Sequence, residues 1–297
     1  MADASTRFSP FSTPSATRAV LERHGLYTKY GLGQNFLVND DVIRKIIDLA
    51  DVQTADHVLE VGPGIGTLTA ALLPRAAHVT AIEKDYDLPA VLADTLSPWA
   101  DRFTLVSADA LDLEKERLRT ESAPFPNKMV SNLPYAVAAT VVLDYLQRFD
   151  FLESATVMVQ KEVADRMTAQ PGTKAYGAYT VKLSMYARAV GRFPVAPGNF
   201  FPPPHVESAV LRLDRIEPPA HADAICAMAE AAFANRRKTI ANSFKTHFAG
   251  NAAALAAMEV TFERADIDPR RRGETLTRDE FIRLGTAFQN ECAFESI

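Results

Sequence analysis

The chain has 297 residues, of which 47% are hydrophobic and 23% charged, enough to build a sizeable core and too balanced for a disordered or fibrous protein. Its net charge of −5 supplies no global field for a polyanion, so any nucleic-acid contact must come from local clusters. The longest apolar stretch, AVAATVVLDYL, is interrupted by Asp144, which excludes a membrane span of about 18 or more apolar residues, and the two cysteines, Cys226 and Cys292, have neither metal nor redox spacing.

The N-terminal MADASTRFSPFSTPSATRAV is rich in Ser, Thr and Pro and lacks the continuous apolar core of a secretory signal, although its arginines and hydroxyls weakly resemble a transit peptide. It is predicted to be a disordered or loosely ordered lead over residues 1–25. GLGQNFLVND (31–40) follows, then a helix, DVIRKIIDLA, that Asn39 or Asp40 can cap. That stretch carries several residues a cap does not need.

From residue 56 to 213 strands alternate with helices. HVLEVG, HVTAIEKD, FTLVSADALDL, KMVSNL and AVLRLD read as strands, TLTAALLPRA and AATVVLDYLQRF as helices, and ATVMVQKEVADRM as a strand passing into a helix. This is the pattern of a mostly parallel sheet covered on both faces. After Pro219 the composition turns Ala-rich and amphipathic with no strand signal, and Thr277 to Glu280 gives a capping box ahead of an apolar run. A small helical domain over 217–297 is predicted.

Three strand ends carry polar chemistry. Glu60-Val61-Gly62-Pro63-Gly64-Ile65-Gly66 joins a strand to a helix, and Gly62 and Gly64 let a ligand approach the backbone. The next strand ends in Glu83 and Lys84, an acid about 20 residues on that can accept from a ribose diol. The third ends in Asp109-Ala110, where a short carboxylate can accept from an adenine amino group. Together these outline a nucleoside site at the carboxyl ends of parallel strands, without separating a nicotinamide-dependent dehydrogenase from a methyltransferase.

The separation comes from SNLPYA (131–136). An exocyclic amine such as adenine N6 is a poor nucleophile because its lone pair is delocalised into the ring. An enzyme that alkylates it needs acceptors for both N–H groups. Asn132 offers a side-chain oxygen and Leu133 a carbonyl. Pro134 biases Leu133 to an extended shape, and Tyr135 gives a face on which a flipped base can stack. FFPPPHVESA (200–209) supplies an aromatic loop, with Phe200 the first candidate to close over the base and Phe201 the second. Arg236, Arg237 and Lys238 with Lys245, and the run from Arg270 to Arg272 that includes Arg271, are the candidate phosphate contacts.

GQNFL (33–37), EVGPGIGTLT (60–69), SNLPY (131–135), FFPPPHVESAVLRL (200–213), AFANRRKTIANSF (232–244) and RRGETLTRDEFIRL (271–284) resemble the small-subunit ribosomal RNA adenine dimethyltransferases, the KsgA family. The resemblance covers nearly everything after residue 26. It implies a Rossmann-like class I methyltransferase sheet with an antiparallel last strand over 26–216, followed by the helical domain. It implies S-adenosylmethionine as methyl donor, no metal, and two methyls on N6 of each of two adjacent adenosines near the 3′ end of small-subunit rRNA. By position, Gln34, Asn35 and Leu37 line the donor site, with Gly62, Gly64, Glu83, Lys84, Asp109, Ala110 and Asn132. A cytoplasmic monomer acting on an assembling ribosomal subunit is expected. His205-Val206-Glu207 departs from the Lys-Val-Asp usual there. An Erm-type enzyme acting on large-subunit rRNA shares the core motifs, and a non-catalytic assembly factor is the third reading.

Overall fold

The computed structural model describes residues 7–27, 35–121 and 125–292. They form two compact units: one from the described residues up to Ala164 together with Ala189–Arg215, the other from Asp165–Arg188 and the described residues from Ile216 on.

The first unit opens with α1 (Pro14–Arg23), β1 (Phe36–Leu37) and α2 (Asp40–Ala50). The disordered lead expected over residues 1–25 is corrected for residues 7–25. The Thr13 side chain caps α1 by accepting from Ala16 N–H at 3.1 Å, and Pro14 starts the helix with its φ already suitable. The Asp40 carboxylate accepts from Phe8 N–H and Ser9 N–H, both at 3.0 Å, and from Ser12 Oγ at 2.9 Å. Val20 and Leu21 are buried. A segment read as polar thus hides one face of a helix, Thr17, Val20 and Leu21. Asn39, as expected, caps α2 by accepting from Asp41 and Val42 N–H.

The sheet is built from β2 (His57–Val61), β3 (His78–Glu83), β4 (Phe103–Ser107), β5 (Lys128–Asn132), β6 (Ser154–Gln160), β7 (Ala187–Val195) and β9 (Ser208–Arg215), while β8 (Phe200–Phe201) pairs with β1. Between the strands lie α3 (Thr69–Leu72), α4 (Leu88–Thr95), α5 (Lys115–Glu121), α6 (Ala138–Arg148), α7 (Lys161–Met167) and α8 (Ala178–Tyr186). The sheet order is β4-β3-β2-β5-β6-β9-β7, parallel from β4 to β6, with β9 antiparallel to β6 from Ser154↔Asp214 to Gln160↔Ser208. Val58 and Leu59 of β2 are fully buried, as continuous apolar strands covered on both faces must be. Strand order reverses between β3-β2 and β5-β6. The crevice beyond the carboxyl ends of β2 and β5 is therefore the place where such a sheet binds ligands.

β7 was not predicted. Its sequence, ARAVGRFPV, carries two exposed arginines, and Pro194 is tolerated because the strand lies at the sheet edge.

The second unit contains α8, α9 (Ala222–Phe233), α10 (Ile240–His247), α11 (Ala252–Ala265) and α12 (Arg278–Cys292). The sequence assigned all of 26–216 to the sheet domain, but residues 165–188 belong with these helices. α8 packs on α9, Tyr176 OH donates to the Leu276 carbonyl at 2.8 Å, and Lys182 pairs with Glu230. α12 crosses α9 closely at Gly285, where a Cβ would stand 2.5 Å from Ile225 Cα. The capping box forms reciprocally, Glu280 N–H donating to Thr277 Oγ1 at 3.3 Å and Thr277 N–H to Glu280 Oε2 at 2.7 Å. Among the described residues no helix is long and apolar enough to cross a membrane.

Candidate active site

The Gly-rich turn leaves β2 with Gly62 at φ 70° and Gly64 at φ 60°, in the left-handed region. A Cβ on Gly64 would lie 3.0 Å from Phe36 Cε1, and one on Gly62 3.3 Å from Pro134 Cδ. The turn is thus roofed by Phe36 and walled by Pro134, and its glycines leave room that a Cβ at either position would take. A side chain at either position would fill the cradle a ligand needs, which fits a nucleoside-bearing donor.

β3 delivers Glu83 to the same end of the sheet. Its Oε1 accepts from Lys84 N–H at 2.9 Å and from Asp85 N–H at 2.8 Å. Burial raises its pKa, and these N–H groups with that of Gly64 partly oppose the rise. The carboxylate is thereby held by backbone at the turn itself. Asp109 follows β4 and accepts from Leu111 N–H at 3.0 Å, while the Lys84 ammonium sits on its Oδ2. The Lys84 hydrogen bond and that of Leu111 keep the Asp109 carboxyl below its ordinary pKa. Lys84 was expected to line the donor site; the structure places it exposed and paired with Asp109. Ala110 is buried, and its carbonyl accepts from Tyr145 OH at 2.9 Å.

Beneath the cradle Glu60 is fully buried, and Thr69 Oγ1 donates to it at 2.6 Å. Burial pushes its pKa up to about 8, helped by the nearby Glu83 carboxylate. The sequence offered no role for Glu60 beyond its place in the motif.

β5 sits beside β2, so the NLPY turn adjoins the Gly-rich turn. Val61 N–H donates to Ser131 Oγ at 2.9 Å and locks the two strand ends together. Asn132 Nδ2 donates to the Asn35 carbonyl at 3.3 Å. A carbonyl only accepts, so the amide nitrogen must face it, and Asn132 Oδ1 is left as an acceptor. Leu133 N–H is used by the Met158 carbonyl at 3.1 Å, and the Pro134 carbonyl accepts from Val137 and Ala138 N–H. Among the described residues nothing donates to the Leu133 carbonyl. The two acceptors that the sequence singled out are therefore side by side in the chain and uncommitted. Tyr135 is half-buried, its hydroxyl 2.6 Å from Ser208 Oγ at the start of β9. No sequence signal pointed to Ser208 as the residue that fixes the tyrosine ring.

The FFPPP segment comes to the site through β8. Leu37 pairs with Phe200 and Phe36 with Phe201 in an antiparallel ribbon, extended by Val38 N–H to the Asn199 carbonyl at 2.8 Å and Asn39 Nδ2 to Asn199 Oδ1 at 2.8 Å. Phe200 is 3% exposed and belongs to the core cluster with Leu37, Ile43 and Leu72. As placed, it is a core wall, and a base meets its face only if the ring turns outward. Phe201 is the half-exposed ring of the pair. Leu37 is likewise buried and shapes the ribbon. Gln34 lies outside the described residues.

In the helical unit the basic candidates divide. Arg236 pairs with Glu274 at 3.1 Å and donates to the Thr173 and Lys174 carbonyls. Arg271 is clamped on Glu280, whose pKa its guanidinium draws down to about 2. These two are struts within the fold. Arg237, Lys238 and Lys245 are exposed. Among the described residues no group of three or more His, Cys, Asp or Glu side chains is placed to hold a metal ion.

Residues 26–283 match the family described as ribosomal RNA adenine dimethylase. A ribosomal RNA small subunit methyltransferase A from Enterococcus faecalis is 40% identical over 291 residues, covering 96% of this chain and 98% of the relative. Among solved structures, a dimethyladenosine transferase from Plasmodium falciparum superposes with TM-score 0.72 at 23% identity, covering 86% of this chain and 98% of its own. The 23S rRNA methyltransferase ErmE does so with TM-score 0.64 at 27% identity, covering 86% and 100%.

Proposed function

This chain belongs to the ribosomal RNA adenine dimethylase family, and from that premise we propose that it dimethylates N6 of two adjacent adenosines near the 3′ end of small-subunit rRNA. The observation that carries the reading is the pair of uncommitted acceptors, Asn132 Oδ1 and the Leu133 carbonyl, beside the glycine cradle. The choice of subunit rests on the names of relatives at about 40% identity along nearly the whole chain.

The family implies S-adenosylmethionine, which when bound supplies a methyl group on a sulfonium already activated for direct transfer. Gly62 and Gly64 admit the donor to the backbone of the turn, Glu83 takes its ribose hydroxyls, and Asp109 exchanges Lys84 for its adenine amino group. Asn132 and Leu133 accept the two N6–H bonds of the target and so aim its lone pair at the methyl carbon. Tyr135, held by Ser208, stacks on the flipped base. Positioning of this kind carries most of the rate, because neither partner needs covalent activation by the protein. The proton leaves N6 to solvent. Arg237, Lys238 and Lys245 meet rRNA phosphates. The protein acts in the cytoplasm as a monomer on an assembling subunit.

Primer extension across both rRNAs after incubation with the enzyme tests the assignment. Stops at two neighbouring adenosines near the small-subunit 3′ end are expected. A single stop in large-subunit rRNA moves the assignment to an Erm-type target.

A further inference from the structure

The segment expected to be a loose lead touches both strands of the β1–β8 ribbon. Phe8 and Phe11 pack on the core cluster that contains Leu37 and Phe200, and the Arg75 guanidinium lies 3.9 Å from the Phe8 ring centroid. Asp40 holds the segment at Phe8, Ser9 and Ser12. Val20 and Leu21 of α1 pack in one cluster with Phe36, Ile65 and Leu88, and Phe36 is the ring that roofs Gly64. At its far end α1 is pinned by Arg23 and His24 on Asp94, at 2.9 and 3.0 Å. Arg18, exposed on α1, places its guanidinium 5.2 Å from the Phe201 ring centroid. Both strands of the β1–β8 ribbon are therefore contacted from one helix, Phe36 by apolar packing and Phe201 by a cation over its face.

We propose that residues 7–27 are a positioning element of the transfer site, with Arg18 holding Phe201 at the rim where the target base enters. This rests on the reading of the ribbon as a wall of that site. Phe201 is half-exposed and is followed by a run of three prolines. The guanidinium is planar, stacks on an aromatic face and stays charged at all working pH, which suits it to hold a ring without closing the cleft. Arg18 acts through Phe201, as a positioning residue.

The test uses the full chain as Arg18→Ala and Arg18→Lys, with Asp40→Asn as an independent release of the segment's other end. Amide hydrogen exchange at Phe36, Leu37, Phe200 and Phe201 reads the ribbon directly. Methyl-transfer kinetics on rRNA, calorimetric affinity for S-adenosylhomocysteine, and Tm are measured alongside. Arg18→Ala is expected to speed ribbon exchange and to lower kcat/KM for RNA, each roughly two- to fivefold, the weight of one exposed cation–π contact. Tm and S-adenosylhomocysteine affinity stay unchanged, and Arg18→Lys recovers part of the loss. Asp40→Asn speeds exchange in residues 8–12 and in the ribbon. Unchanged ribbon exchange in Arg18→Ala overturns the proposal, and so does a loss of Tm, affinity and rate in step. A wild-type enzyme that methylates no rRNA ends the functional reading above, while the exchange result still decides whether the helix holds the ribbon.

Discussion

The Asn132 side chain donates through Nδ2 to the Asn35 carbonyl at 3.3 Å, across 97 positions of sequence. This one contact joins the end of β5 to the residue before β1 and fixes which end of the amide is spent on it. The other end, Oδ1, is left as an acceptor, the one proposed above to hold a base amine. Asn132→Ala removes both the acceptor and the tether. Its expected effect is a fall of about a hundredfold in single-turnover methyl transfer, the scale of a lost positioning contact. S-adenosylhomocysteine affinity changes less than tenfold. Rapid-quench transfer and calorimetry check the two numbers separately.

The close approach of Phe36 to Gly64 makes a second expectation. In Gly64→Ala the new methyl must live at φ 60° and 3.0 Å from the ring. The left-handed conformation alone costs about 1–2 kcal/mol. Urea unfolding is expected to show at least that loss, together with weakened binding of S-adenosylhomocysteine because the cradle is filled.

Glu60 gives the protein a stability profile that declines toward alkaline pH. Burial raises its carboxyl to about 8, against roughly 4.3 in an unfolded chain. Between those values the folded state keeps a proton that the unfolded state releases. The stability contributed by this group is complete below pH 4 and lost as pH rises through 8. Glu60→Gln stays neutral throughout. The stability of wild type relative to this variant is expected to fall, by on the order of a few kcal/mol, from pH 5 to pH 9. Denaturant melts at four or five pH values read the difference. A constant difference contradicts the assignment.

The helical unit separates two kinds of arginine. Arg237→Ala and Lys238→Ala are expected to leave Tm in place and weaken RNA binding, each lowering the salt slope by about one. Arg236→Ala is expected to destabilise the protein by up to about 1 kcal/mol, since it loses a half-exposed pair with Glu274 and frees two carbonyls. Salt-dependent binding titrations and melts, run on the same three variants, check the division.

The strand ends were legible because their chemistry is local. Gly62, Glu83, Asp109 and Asn132 each follow an apolar run, and a parallel sheet brings such ends to one side. What the sequence hid is long-range or polar in appearance. Nothing near Phe200 says that it pairs with Leu37 and is buried, and nothing near Tyr135 names Ser208. The N-terminal segment looks like a disordered lead by composition, yet Val20, Leu21 and Phe8 are spent against the core. Segment 165–188 looks continuous with the sheet domain because its helix follows a strand, and only the packing of α8 on α9 shows otherwise. The two arginine struts could not be told from neighbours such as Arg237 and Lys238, since a charge cluster carries no mark of which member finds a carboxylate.

The most direct test is transfer of tritiated methyl from S-adenosylmethionine to small ribosomal subunits lacking these methyl groups, followed by nucleoside analysis. The account requires label in N6,N6-dimethyladenosine at two adjacent positions near the 3′ end of the small-subunit RNA, and its loss in Asn132→Ala. No incorporation into that RNA, with wild-type protein that binds S-adenosylhomocysteine, contradicts it.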